Sequence, residues 1–345
     1  MGALTMANEV KFGLGISTGA EGLMYPIPYA DVHDIVDISV YAEKLGFDSV
    51  WGNDHITTQQ YVYNEFGRQP RYYAPLLTLA AIAERTTTLK VATGLLVIPF
   101  RNPAIVAKEL ATLDNIADGR LLVGVGLGAY REEFEAEFGA ASANMVRGQL
   151  FDESIAMIHR IFTEEKVSAT GEYFDIRNIQ SFPKPVQEFF PFYFGGNSDK
   201  GLSRTVKYGR GWLPFDLTVD EIAASVAKLK EKCAEAGRTY DIDVAPQFCI
   251  SIGRTHEEAC QKFERSQIYK HTISLEQSTL KGKKASDYTE RNLVGSPDEI
   301  IERIEAYRAA GVTTFSALLF ANNTLEETRE DMQFFSESII SKYNK

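Results

Sequence analysis

The sequence predicts an α/β fold, a (β/α)8 TIM barrel built as one domain over residues 1–345. Three observations carry this. Eight short apolar runs rich in β-branched and aromatic residues alternate with longer stretches of helical period, the pattern of βα units around a parallel sheet. No Gly/Ser linker or low-complexity segment divides the chain. Its 345 residues are many for an average domain and ordinary for one barrel.

The strands are read at 10–17, 47–52, 89–98, 120–127, 191–195, 211–215, 244–252 and 313–320. Helical period fills the intervals. The stretch 31–45 gathers Val32, Ile35, Val36, Ile38 and Ala42 broadly on one side and stops at Gly46. The stretches 75–85 and 103–117 open on proline, whose missing N–H costs little in a first turn, and Asp118-Gly119 reads as the turn into the fourth strand. A helix over 219–236 stops at Gly237. Another over 296–310 has Ser296 and Glu299 placed for a capping box, and 325–343 closes the chain. Insertions are expected after the fourth and seventh strands. Residues 164–190 include a small hairpin at 170–174, and 261–295 are polar and lysine-rich; each is either a lid or binding loop, or a peripheral excursion.

Composition narrows the partners. A net charge of −11, from 36 basic and 47 acidic residues, argues against nucleic acid or an anionic membrane as partner. No apolar run approaches the roughly 20 residues of a membrane span, and the first ten residues lack the pattern of a secretory signal. Three cysteines without C-x-x-C spacing imply neither a disulfide framework nor a cysteine zinc site, so the cytoplasm is the expected location. Five histidines without H-x-H or H-E-x-x-H predict no metal centre, and there is no G-x-S-x-G elbow.

Active sites of such barrels lie at the C-terminal ends of the strands. Asp54-His55 follows the second strand, a carboxyl and an imidazole able to donate and accept protons; the plainer reading is a capping aspartate beside a satisfied histidine. Gly94, inside the third strand between Thr93 and Leu95, marks a bulge or a close approach. In the fourth strand Gly124, Gly126 and Gly128 recur at period two and bare one wall, which admits a flat ligand or a bulky core neighbour. The spacing is not that of a dinucleotide fingerprint. Gly195-Gly196-Asn197-Ser198 precedes a helix whose first turns hold Arg204. This is either a phosphate loop with a charge-assisted contact or a βα turn capped by Ser198.

Taken in order, these segments resemble the luciferase-like monooxygenase superfamily, which comprises flavin-dependent luciferases and monooxygenases and deazaflavin (coenzyme F420)-dependent enzymes. The resemblance rests on 45–51 followed by Asp54-His55, on 92–104 with 111–114 and 119–121, on 194–197 through 211–214, and on 295–299. It implies an oxidoreductase acting on a small molecule. Asp54 and His55 would be catalytic beside the reactive ring, and Gly94-Leu95 would support the ring's face, often through a non-proline cis peptide. Thr93, Gly128 and Ala129 would flank it, and Gly195, Gly196 and Asn197 would grip the phosphate. Asn53-Asp54-His55 is nearer the F420 branch than the Glu-His-His of FMN luciferases, so F420 is the expected cofactor. FMN with oxygen and a partner reductase is the alternative, and a non-catalytic flavin-binding barrel the second. The glutamate that some F420 dehydrogenases carry directly after the fourth strand is replaced here by Ala129-Tyr130. The resemblance also implies a homodimer.

Overall fold

The structure, a computed structural model, describes residues 10–276, 284 and 287–343. Residues 1–9 and 344–345, and the stretches 277–283 and 285–286 within the lysine-rich segment 261–295 expected as an insertion, lie outside the described residues.

The chain alternates as expected: β1 (Lys11–Ile16), α1 (Val32–Lys44), β2 (Ser49–Gly52), α2 (Gln60–Phe66), α3 (Pro75–Arg85), β3 (Lys90–Val97), α4 (Pro103–Ile116) and β4 (Leu121–Gly126). There follow α5 (Arg131–Phe138), α6 (Arg147–Thr163), the hairpin β5 (Val167–Thr170) and β6 (Asp175–Ile179), then β7 (Phe192–Gly195), α7 (Asp199–Tyr208), β8 (Gly211–Leu213) and α8 (Val219–Glu235). The last part holds β9 (Asp243–Val244), β10 (Gln247–Ile252), α9 (His256–Glu264), α10 (Gln267–Leu275), α11 (Tyr288–Arg291), β11 (Leu293–Gly295), α12 (Pro297–Ala309), β12 (Thr314–Phe320) and α13 (Leu325–Phe335).

Ten strands form one parallel sheet in the order β11-β10-β12-β1-β2-β3-β4-β7-β8-β9. Covered by helices, its strands are apolar on both faces, as in β12, where all seven residues are buried. The sheet curls: β9 at one end and β10 near the other are separated only by Ala245 and Pro246, and Phe215 bridges to Gln247. Trp51, Ala92, Tyr193, Leu213, Ala245 and Ala317, drawn from around the sheet, pack as one inner cluster. Among the described residues no helix is long and apolar enough to cross a membrane.

Local signals act where expected. Asp31 caps α1 in a capping box with Asp34, and Ser296 does so with Glu299 on α12. Asp118 (φ 50°) and Gly119 (φ 76°) make the left-handed turn before β4. One expected strand, 244–252, is two: Pro246 lacks the N–H that would continue the ladder, so β9 pairs with β8 and β10 with β12. The 170–174 hairpin is present as β5–β6, closed by Gly171 N–H donating to Phe174 O at 2.8 Å.

Packing at the β3–β4 seam leaves one glycine no latitude. A Cβ on Gly124 would sit 2.2 Å from the Thr93 carbonyl oxygen and 2.8 Å from Leu213. Gly124→Ala is therefore expected to destabilise the fold by about 1–3 kcal/mol through overpacking, read as a lower urea midpoint. An unchanged midpoint would show that the seam relaxes.

Candidate active site

The strands deliver the expected segments to one end of the sheet. Leaving β2, consecutive residues diverge. Asp54 turns toward β3, its side chain 2% exposed, and accepts two bonds from Arg101 (2.7 and 2.9 Å) and one from the Val97 N–H (2.9 Å). Arg101 also donates to Val97 O at 3.0 Å. Asp54 thus ties the β2 exit to the β3 exit, and both its oxygens are engaged.

His55 turns the other way. Its Nδ1 lies 3.0 and 3.2 Å from the carboxylate oxygens of Glu133, a buried residue of α5 that also accepts the Ile56 N–H at 3.1 Å. The Gln59 amide nitrogen approaches the same Nδ1 at 3.2 Å, and Tyr72 O–H donates to Gln59 at 2.8 Å. The rings of Tyr72 and Tyr130 lie 5.4 and 5.7 Å from the imidazole. No described residue takes Nε2. The geometry is that of an imidazole oriented by a buried carboxylate with one nitrogen left over.

Beyond this pair stand Tyr61 and His271. Tyr61 O–H is 2.8 Å from His271 Nδ1 and 3.4 Å from Tyr130 O–H. Burial raises the phenols of Tyr61, Tyr72 and Tyr130, so all remain protonated. Burial, with His55 nearby, lowers His271 to about 4. A histidine neutral when folded and protonated when unfolded makes the unfolded chain bind the extra proton between pH 4 and 6.5. Stability is then expected to fall as pH drops through that window, by about 1.4 kcal/mol per unit for this one group. Denaturation of His271→Gln at pH 7 and pH 5 should show a shallower fall than the parent; equal slopes would refute it.

On the opposite side, Gly94-Leu95 is a cis peptide at a register shift between β3 and β4. Thr93, buried, donates to Gly124 O at 2.8 Å. A Cβ on Gly94 would meet Trp51 at 3.3 Å, so the bulge presents bare backbone backed by the indole. The glycine wall is decided in favour of the bulky neighbour: Leu95 lies within 2.6 Å of added Cβ atoms at Gly126 and Gly195 and 3.3 Å of one at Gly124. Gly128 (φ 81°) abuts Val97, and Ala129 is exposed.

The loop after β7 is held from within. Gly196, at φ 106° and with open space where a side chain would be, accepts from Trp212 Nε1 at 2.9 Å. Asn197 exchanges hydrogen bonds with the Phe215 backbone at 2.7 and 3.2 Å, and Ser198 caps α7. Arg204 does not reach this loop. Its guanidinium turns to α6, bonded to Asp152 at 2.6 and 2.9 Å and lying over Phe151, because a buried-stem arginine keeps the nearest carboxylate.

A cleft of about 30 Å³ lies beside the bulge, lined by Gly15, Trp51, Asn53, Gly94, Gln247 and Ala317 among others; His55 and the Gly196 loop do not line it. A wider one of about 410 Å³ lies between α9, α11 and α12, and none of the expected site residues lines it. Glu133, Arg101, Gln59 and His271 were missed as site residues from sequence. Only Glu133 carried a signal, as an acid soon after the fourth strand, four residues beyond where one was sought.

Comparisons with known proteins bear on the fold and the family. The chain is 27% identical over 326 residues to an F420-dependent glucose-6-phosphate dehydrogenase of Amycolatopsis mediterranei, covering 90% of this chain and 94% of that one. A second such enzyme, from Rhodococcus erythropolis, is 26% identical over 331 residues, covering 89% and 91%. Among solved structures, a monooxygenase RslO1 from Streptomyces bottropensis superposes with a TM-score of 0.77 at 23% identity, covering 96% and 99%. An F420-dependent secondary alcohol dehydrogenase also gives 0.77, at 20% identity, covering 98% and 100%. The model of the luciferase-like monooxygenase family matches residues 10–314, and the chain, an oxidoreductase by that membership, belongs to this family.

Proposed function

We propose that this protein transfers hydride between the deazaflavin coenzyme F420 and a small organic substrate at the mouth of a (β/α)8 barrel, in which 164–190 and 261–295 are insertions. The observation that carries this is one mouth holding both a bare-backbone bulge and an imidazole–carboxylate pair. The residues fit a flat ring: Gly94 offers backbone free of side chain and backed by Trp51 at the cis Gly94-Leu95 peptide. The loop at Gly195, Gly196 and Asn197 has open space for a phosphate at Gly196. F420 when bound supplies a two-electron hydride acceptor that needs no oxygen.

The chain's own groups do the rest. Asp54, through Arg101 and Val97, fixes the bulge relative to β2. Glu133 accepts the Nδ1–H of His55, which leaves Nε2 to take the hydroxyl proton as hydride leaves the substrate carbon, and to return it in the reverse direction. Tyr61, Tyr72 and Tyr130 stay neutral donors around it. The F420 dependence in the names of the two dehydrogenase relatives supports F420 over FMN. The reading places the enzyme in the cytoplasm, as the homodimer its resemblance implies, and without a reductase partner.

Titration of the purified protein with F420 and with FMN tests this. Saturable F420 binding with substrate-dependent bleaching of its absorbance is expected. Oxygen uptake with reduced FMN, and no F420 binding, would overturn it in favour of the monooxygenase alternative.

A further inference from the structure

A nucleophile, a base and an acid meet on the outer helices, apart from the residues assigned above. β10 and β11 are parallel neighbours, with Ile252 opposite Gly295, so the helices that follow them, α9 and α12, leave side by side. His256 and Cys260 lie four residues apart on α9 and share one face. Cys260, half-buried, places Sγ 3.3 Å from His256 Nε2. From α12, Glu299 Oε1 comes within 3.1 Å of His256 Nδ1. The other oxygen of Glu299 accepts the Ser296 N–H and O–H, both at 2.8 Å, which lowers its carboxyl and keeps it charged at neutral pH.

The order is thiol, imidazole, carboxylate. With Glu299 accepting the Nδ1–H, Nε2 is the acceptor that faces the S–H. Thiol and carboxylate flank opposite nitrogens of the ring, which passes a proton and does not converge on a cation. Among the described residues no group of His, Cys, Asp and Glu could hold a metal ion. Glu264, one turn beyond Cys260, is occupied: it accepts the O–H of Tyr288 at 2.9 Å, whose phenol burial raises. All three cysteines are free, and burial raises the other two thiols, Cys249 to about 12. The cavity of about 410 Å³ between α9, α11 and α12 opens against this relay, with His256 and Glu299 in its lining. Its size is usual for a small-molecule site, and Glu302 and Arg303 line it too, opposite charges side by side on α12.

We propose that Cys260 is a nucleophilic thiol, with His256 as its base and Glu299 orienting the base, and that it forms a mixed disulfide with a small zwitterionic disulfide of the cystine type held in this cavity. Nothing in this depends on the F420 reading. Arg303 meets a carboxylate of such a molecule and Glu302 its ammonium. Cys260 Sγ attacks one sulfur of the disulfide, and the new S–S bond forms as the old one breaks. His256 Nε2 takes the thiol proton and passes it to the departing thiolate. Cys260 is oxidised, half of the cystine leaves reduced as cysteine, and no further oxidant enters.

The experiment exposes the full chain, reduced and freed of reductant, to cystine and to uncharged hydroxyethyl disulfide, and follows each cysteine by peptide mass mapping. In the folded chain Cys260 is expected to react first and faster than it does in urea. His256→Gln should slow Cys260 about 100-fold with both disulfides, the lower end of what a positioned base contributes. Arg303→Met should slow cystine about 10-fold, the loss of one hydrogen bond to a charged group, and leave hydroxyethyl disulfide unchanged, a split that a merely structural loss does not produce. Folded Cys260 reacting no faster than in urea overturns the inference, and so does a His256→Gln rate within twofold of the parent. The comparison of folded with urea-unfolded parent decides alone if that variant does not fold. Equal slowing of both disulfides in Arg303→Met overturns the cystine-type assignment.

Discussion

His55→Ala is expected to lower the rate of hydride transfer by about 10²- to 10⁴-fold, the usual contribution of a positioned acid–base group, while F420 affinity stays within a few-fold. The basis is geometric. Glu133 is buried and lies 3.0 Å from Nδ1, so the remaining nitrogen points away from that carboxylate. Removing the imidazole leaves the substrate hydroxyl without a proton acceptor, but leaves the Gly94-Leu95 bulge and the Gly196 loop intact. Glu133→Gln should act in the same direction with a smaller loss, since the imidazole stays and only its orienting charge goes. Stopped-flow bleaching of F420 separates the hydride step from release, and equilibrium titration reads affinity. A His55→Ala protein within threefold of the parent would remove His55 from the chemistry and leave Asp54, already bonded twice to Arg101, as a poor substitute.

The largest effect on stability is expected at Asp54. Its side chain is 2% exposed and that of Arg101 21%, and three hydrogen bonds converge on the carboxylate. Such a pair adds little over an apolar replacement, because desolvation offsets the attraction. Breaking it is costly, because the surviving charge stays in a site built for its partner. Asp54→Ala is expected to lose about 3–5 kcal/mol, and the Asp54→Ala/Arg101→Met double variant to recover part of that. Urea denaturation of the four proteins closes the cycle. A single-variant loss under about 1 kcal/mol would mean the pair is solvated like a surface ion pair. The same variants should bind F420 more weakly, since the carboxylate holds Val97 and with it the exit of the β3 bulge.

Much of the scaffold is written in local terms. The strand runs, the prolines opening α3 and α4, the Asp118-Gly119 turn and the Ser296–Glu299 box each act within a few residues, where propensity and capping decide. The bulge was legible too, because a glycine inside an apolar strand has few other uses. What was not legible lies at long range. Arg101 is 47 residues from Asp54 and Glu133 is 78 from His55. His271 reaches Tyr61 across 210 residues, and nothing near it in sequence marks it as buried. The lysine-rich segment in which it lies reads as a polar loop, yet α10 turns one imidazole inward.

By itself, then, the sequence determined the alternation of strands and helices and the family, and it named the end of the sheet where the proposed chemistry sits. Those follow from period, capping and the order of short motifs. The tertiary structure alone decided the role of each charge at that end. It paired Asp54 with Arg101, gave Glu133 to His55, spent Arg204 on Asp152 and filled the glycine wall with Leu95. The physical reason is that a side chain's electrostatic role is set by the nearest partner in space, and folding brings partners together from distant parts of the chain.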